Sequence, residues 1–257
     1  MTFMNYKFLL FVSPIFLLIN CFTKKNINNS NDVKIDTLTL LDNNRKRKIP
    51  VAYFHSKIDK KSSKQQVIIF NHGYGQNKGG DYLIYSYLTN YLAAKGYFVV
   101  SIQHELPTDE LLTLEGNLQL VRMPFWKRGT KNILFVLNEL KKSKPELDFA
   151  HLTLIGHSNG ADMTALFADK YPEQVYKIIA MDNRRMYLPR TSKPKMYSLR
   201  SNDYPADEGV LPTEEEAKKF TMTIQKTNIN HGHMDDEASK EERKILTGYI
   251  LKYLQEN

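Results

Sequence analysis

Residues 152–160 read LTLIGHSNG: an apolar run ends in Gly-x-Ser-x-Gly, and a stretch of helical character follows to Lys170, stopped by Tyr171-Pro172. A strand that turns into a helix through so tight a corner holds its central serine in a strained backbone conformation. The glycines two residues to either side remove side chains that would collide there. Such a corner lifts Ser158 Oγ above the carboxyl end of a sheet. It also puts the next backbone N–H, that of Asn159, at a helix N-terminus, where partial positive charge favours an anion. The corner works only if a buried sheet lies behind it, so it commits the surrounding chain to alternating strands and helices.

The rest of the sequence supplies that alternation. Residues 36–41 and 49–54 have strand character, and Asp42-Asn43-Asn44 between them favours a turn. Short apolar runs at 67–70, 97–102, 152–155, 175–181 and 196–199 read as buried strands. Helical spacing of apolar residues predicts helices over 81–95, closed by Gly96, and over 126–140. Thr213–Glu216 and Ser239–Glu242 match the capping-box pattern: the first opens a short helix before a strand at 221–225, the second a final amphipathic helix through Ile245, Tyr249, Ile250 and Tyr253. The expected fold is α/β, a mostly parallel central sheet with helices on both faces. The stretch between Met181 and Met196 is too short for a large cap domain, and the connection 104–125 is expected to form at most a partial lid.

These features resemble the α/β-hydrolase superfamily over residues 36–255. Asn71-His72-Gly73-Tyr74-Gly75, just after the strand at 67–70, is similar to the His-Gly oxyanion loop of those enzymes. The resemblance implies that the Tyr74 N–H joins that of Asn159 in holding an oxyanion, with His72 shaping the loop. It places the acid after a later strand, where Arg200-Ser201-Asn202-Asp203 makes Asp203 the chosen candidate. Asp207 in the same loop and Asp182 at the end of the preceding strand are the alternatives. It places the base in Asn230–Asp236, whose His-x-x-hydrophobic-x-Asp pattern is similar to that of acetylhydrolase-like members and favours His231 over His233. A metal held by His231, His233, Asp235 and Asp236 is the competing reading of that segment. Ser158, Asp203, His231 is the chain order of this fold. The implied activity is hydrolysis of carboxylic esters with short to moderate acyl groups through an acyl-enzyme. A serine peptidase or thioesterase would use the same machinery, and a non-catalytic binding protein is the reading from another class. No motif implies a cofactor.

Further residues flank strand ends in the same layer: Glu105, Arg122, Trp126 and Arg184 are candidates for substrate contact, with loop bracing as the alternative role. Lys and Arg outnumber Asp and Glu by 36 to 28, a net charge of +8. The densest basic run, Arg45-Lys46-Arg47-Lys48, lies where a solvated hairpin turn is expected, and no nucleic-acid-binding motif accompanies it. An anionic membrane surface fits the charge better. Residues 1–21 have the apolar run of an export signal and end on the chain's one cysteine, Cys21, in a pattern similar to a bacterial lipoprotein signal. The expected organisation is a signal at 1–21, a polar tether at 22–35 and a hydrolase domain at 36–257. The expected location is the cell envelope, through a lipid anchor at Cys21, or the periplasm or exterior if the segment is simply removed.

Overall fold

In the computed structural model, residues 32–57 and 64–256 are described. The export segment, Cys21 and most of the tether lie outside them. The folded part begins three residues ahead of the expected boundary, because β1 (Val33–Asp42) already pairs at Val33 with Ser56 of β2 (Arg47–Ser56). This antiparallel hairpin turns at residues 43–46, and β2 then pairs antiparallel with β4 (Phe98–Ile102). All other pairings are parallel. β3 (Gln66–Asn71), β5 (Asp148–His157), β6 (Lys177–Met181), β7 (Lys195–Arg200) and β8 (Thr223–Lys226) complete an eight-stranded sheet of order β1-β2-β4-β3-β5-β6-β7-β8.

The central strands are buried on both faces, which is why they read as unbroken apolar runs rather than alternating ones. Along β3, Val67 and Ile69 pack with Trp126, Ile133, Val136 and Leu137 of α2 (Leu118–Ser143) and with α3 (Asn159–Lys170). Ile68 and Phe70 point the other way, onto Leu88 and Leu92 of α1 (Ser86–Ala94) and Leu246 and Ile250 of α5 (Lys240–Gln255). That alternation is the two-residue period of a strand. Both expected capping boxes form. Thr213 caps α4 (Glu214–Lys219) with Glu216 reaching back, and Ser239 caps α5 with Glu242.

Two elements differ from expectation. α2 starts at Leu118, not near Trp126, so part of the expected lid is helix. Asn117 caps it by accepting from the Leu120 N–H, and the helix runs on through Pro124. Pro124 removes one hydrogen bond and its first turns leave Leu120 exposed, so neither helical spacing nor propensity marks them. The stretch before α1 is likewise a single tighter turn at Asp81–Leu83. Among the described residues, no connection between strands holds a large cap.

Candidate active site

Ser158 sits between the end of β5 and the start of α3 at φ 52°, a left-handed conformation that a non-glycine residue adopts only under surrounding constraint. The constraint is visible on both sides. A side chain at Gly156 would strike the Gly160 carbonyl and Thr164 Oγ1, and one at Gly160 would strike the carbonyls of Asn71 and His72. The Ser158 N–H donates to the Met181 carbonyl at 2.9 Å, tying the corner to the neighbouring strand.

Ser158 Oγ lies 2.9 Å from His231 Nε2. His231 comes from the short turn between β8 and α5, and its Nδ1 lies 2.5 Å from Asp182 Oδ2. With Nδ1–H donating to the carboxylate, Nε2 is left as the acceptor facing the serine hydroxyl. Burial alone would raise the Asp182 carboxyl. Hydrogen bonds from His231 and Ser201 and the Arg200 guanidinium outweigh it and hold the carboxyl below the usual range. Arg200 Nη2 stands 2.8 Å from Asp182 Oδ1, and the Ser201 N–H and Oγ–H both donate to the carboxylate.

The structure therefore brings Asp182 rather than Asp203 to the imidazole. Asp182 leaves the end of β6, beside the strand that ends at Ser158, and its side chain points at His231. Asp203 lies in the exposed loop after β7 and accepts the His231 backbone N–H at 2.8 Å, which positions the turn and not the ring. Asp207 pairs with Arg185. His233 is turned to Glu242, and Asp236 accepts the N–H groups of Ser86 and Tyr87 at the start of α1, so the segment read as a possible metal cluster is spread over other contacts.

The loop Asn71–Gly75 lies against the corner. A methyl group at Gly73 would stand 3.5 Å from Ser158 Cβ. Gly73 N–H donates to Tyr85 Oη at 3.0 Å, and Tyr85 Oη–H donates to His157 Nδ1 at 2.7 Å. His72 Nδ1–H donates back to the Gly73 carbonyl, and its Nε2 accepts from the His104 N–H. The Tyr74 hydroxyl accepts the Leu112 N–H at 2.9 Å, fastening the connection after β4 to this loop.

Similar solved structures identify the architecture. One is a thermostable esterase, at 15% identity and TM-score 0.58 over 87% of this chain and 62% of that one. Another is the esterase Est22, at 11% identity and TM-score 0.65 over 90% of this chain and 84% of that one. The chain has the α/β-hydrolase fold. An acylaminoacyl peptidase shares it too, at 15% identity and TM-score 0.62 over 88% of this chain and 42% of the peptidase. The chain thus spans less than two thirds of the length of the thermostable esterase and of the peptidase. No protein-family model matches the sequence, and neither does any curated protein.

Within this α/β-hydrolase fold the four proposed substrate contacts have different fates. Trp126 is fully buried and spends its Nε1–H on Asn159 Oδ1 at 2.9 Å. Glu105 is buried too, and accepts from Asn159 Nδ2 at 3.0 Å. Neither side chain reaches the surface. Together they clamp the side chain of Asn159, the residue after Ser158, and burial pushes the Glu105 carboxyl up to about 8, so it is a neutral acid at pH 7. Arg122 braces the connection after β4 through the Thr113 carbonyl. Arg184 stands over the Tyr204 ring at 4.2 Å, and that ring is 5.3 Å from His231, which puts the pair at the rim of the site.

Sequence reasoning missed Tyr204, Tyr85 and His157. The His157 ring is 4.7 Å from that of His231, and burial, with the neighbouring His231 charge adding to it, pulls it down to about 3. It therefore stays neutral beside His231. Its place just before the serine was the one available signal, and the polar partner, Tyr85, comes from a distant helix turn.

Proposed function

We propose that this chain is a serine hydrolase that cleaves carboxylic esters of short to moderate acyl groups through Ser158, His231 and Asp182. One observation carries the reading: an unbroken relay from Ser158 Oγ to His231 Nε2 at 2.9 Å and from His231 Nδ1 to Asp182 at 2.5 Å. His231 Nε2 takes the hydroxyl proton as Oγ bonds to the acyl carbon, and the carbonyl π pair moves onto oxygen. The Asn159 and Tyr74 N–H groups hold that oxyanion in this proposal. Collapse expels the leaving alkoxide, which receives the proton from His231. Water then repeats the sequence on the acyl-enzyme and frees the acid.

Ser158 and His231 are both partly exposed, and the connections around them carry no large cap, which supports an open site for bulky or polymer-borne esters. The resemblance to an acylaminoacyl peptidase keeps amide cleavage as the second reading. The decisive experiment is labelling with a fluorophosphonate probe, located by peptide mass spectrometry. Label on Ser158 that disappears in His231→Ala is expected. Folded protein that takes no label would overturn the hydrolase reading in favour of a binding role. Parallel rates on p-nitrophenyl esters, thioesters and acyl-peptide anilides then separate esterase from thioesterase and peptidase.

We further propose export and lipid anchoring at Cys21, supported by the apolar segment that ends there. Metabolic labelling with an alkyne fatty acid in a bacterial host should mark the wild type and not Cys21→Ser. Equal labelling of both would reject the anchor.

A further inference from the structure

A cleft of about 680 Å³ opens between the β1–β2 hairpin, the connection after β4 and the exposed side of α2. Its lining includes the run Arg45–Lys48 and, from α2, Lys127, Arg128 and Lys131: seven cations and no acid. Two of these build the walls. Arg45 donates to Asp42 and to Asn132 of α2, locking the hairpin to the helix. Arg47 donates to both oxygens of Asp109 and to the His104 carbonyl, locking it to the connection after β4.

The lysines are the unspent charge. Lys46, Lys48, Lys127 and Lys131 are exposed, and among the described residues none has an ion-pair partner. Lys127 and Lys131 stand four apart on one helix face, a like-charge spacing that weakens a helix rather than helping it. Lys46 adds a left-handed φ of 50° at the hairpin turn. Concave walls lined by one sign of charge focus the field into the cleft and concentrate counter-ions there.

The cleft also lies on the active edge of the sheet. Val51 pairs with Ile102, the last residue of β4, so the start of β2 projects beyond the carboxyl ends of the parallel strands, as Ser158 does. The strand order β2-β4-β3-β5 sets it about 14 Å to the side of the nucleophile at ~4.8 Å per strand. The hairpin contact at the His104 carbonyl and the Glu105 contact with Asn159 are on consecutive residues, so the same backbone borders both places.

We propose that this cleft binds a ligand bearing two or more phosphate groups, with the four lysines as its charge partners and the two arginines as its frame. Lysine ammoniums recognise phosphate as point charges, and the cleft's volume suits a phosphorylated small molecule or a lipid headgroup. The proposal does not depend on the hydrolase reading.

Inorganic pyrophosphate, titrated calorimetrically into the full domain at low salt, is the probe for a soluble ligand. Sedimentation with cardiolipin vesicles, whose headgroup carries two phosphates, against phosphatidylcholine vesicles, is the probe for a headgroup. Lys127→Gln/Lys131→Gln should weaken whichever interaction the wild type shows by at least about tenfold, since each lost contact to a charged partner carries a substantial share of the binding. Lys218→Gln/Lys219→Gln on α4 should leave it unchanged, with circular dichroism as the check that both variants fold. Pyrophosphate binding without vesicle binding assigns a soluble ligand. Vesicle binding competed by pyrophosphate assigns a headgroup. The proposal is overturned if neither probe binds, or if binding survives in the α2 variant or falls equally in the α4 control.

Discussion

Asp182 and Asp203 both bond to His231, but to different atoms. Asp182 accepts from the ring at Nδ1 and Asp203 from the backbone N–H. The catalytic proposal therefore makes an asymmetric prediction. Asp182→Asn should lower kcat/KM on p-nitrophenyl acetate by about 10³–10⁴-fold, because the amide favours the wrong imidazole tautomer. Asp203→Asn keeps an oxygen acceptor for the backbone and should stay within roughly threefold of wild type, since only a charged acceptor becomes a neutral one. Equal losses in the two variants would put the acid back in question. Ser158 and His231 were legible in the sequence because the corner needs glycines at fixed offsets and only one segment between the last strand and the last helix carries histidine. The acid was not. An aspartate after β6 and one after β7 are the same kind of turn residue locally, and only the three-dimensional aim of the two strand ends tells them apart.

At the scale of elements, Lys177 does unusual work. It lies buried on β6, and its Nζ donates to the carbonyls of Tyr253, Leu254 and Glu256 at the end of α5. A cation there satisfies the last carbonyls and meets the negative end of the helix dipole. Lys177→Met should cost about 2 kcal/mol in urea denaturation, the range for hydrogen bonds to a charged group. A change below a few tenths would show that α5 holds itself. Both capping boxes were readable because the cap and its reciprocal glutamate sit three residues apart in sequence. The start of α2 was not, since Asn117 caps a turn whose leucine faces solvent and whose next turn contains Pro124. Further along α2 the packing is set against α3: a side chain at Gly129 would run into Met163.

For the molecule as a whole, buried titratable groups shape stability against pH. The folded-state value of Glu105 rises to about 8 from 4.5, so the folded protein binds more protons than the unfolded chain between those values, and stability falls as pH rises through that window. His157 is opposite. Its value falls from 6.5 to about 3, so stability is lost as pH drops below 6.5. Between pH 6.5 and 8 the Glu105 effect stands unopposed by His157, and the melting temperature of the wild type should decline across it. Glu105→Gln still accepts from Asn159 and removes the ionisation, so its melting temperature should fall less over that range. Parallel curves for the two proteins would remove Glu105 as the cause. Buried strand runs announced the sheet itself, and His72 and Glu105 were singled out one at a time, yet their meeting with Asn71 and His104 in one buried cluster was not legible, because the members come from two separate strand ends.

The pairing of His157 with Met181 means that Ser158 and Asp182 each leave the sheet one residue past a shared rung. Their spacing is a property of the interior. His231 arrives from beyond β8, the outermost strand on that side. A molecule fraying inward from this edge would shed its imidazole while hydroxyl and carboxylate kept their places. Mild heating should then silence the protein before it melts, and free imidazole in solution is the right shape to stand in for the part that has wandered off.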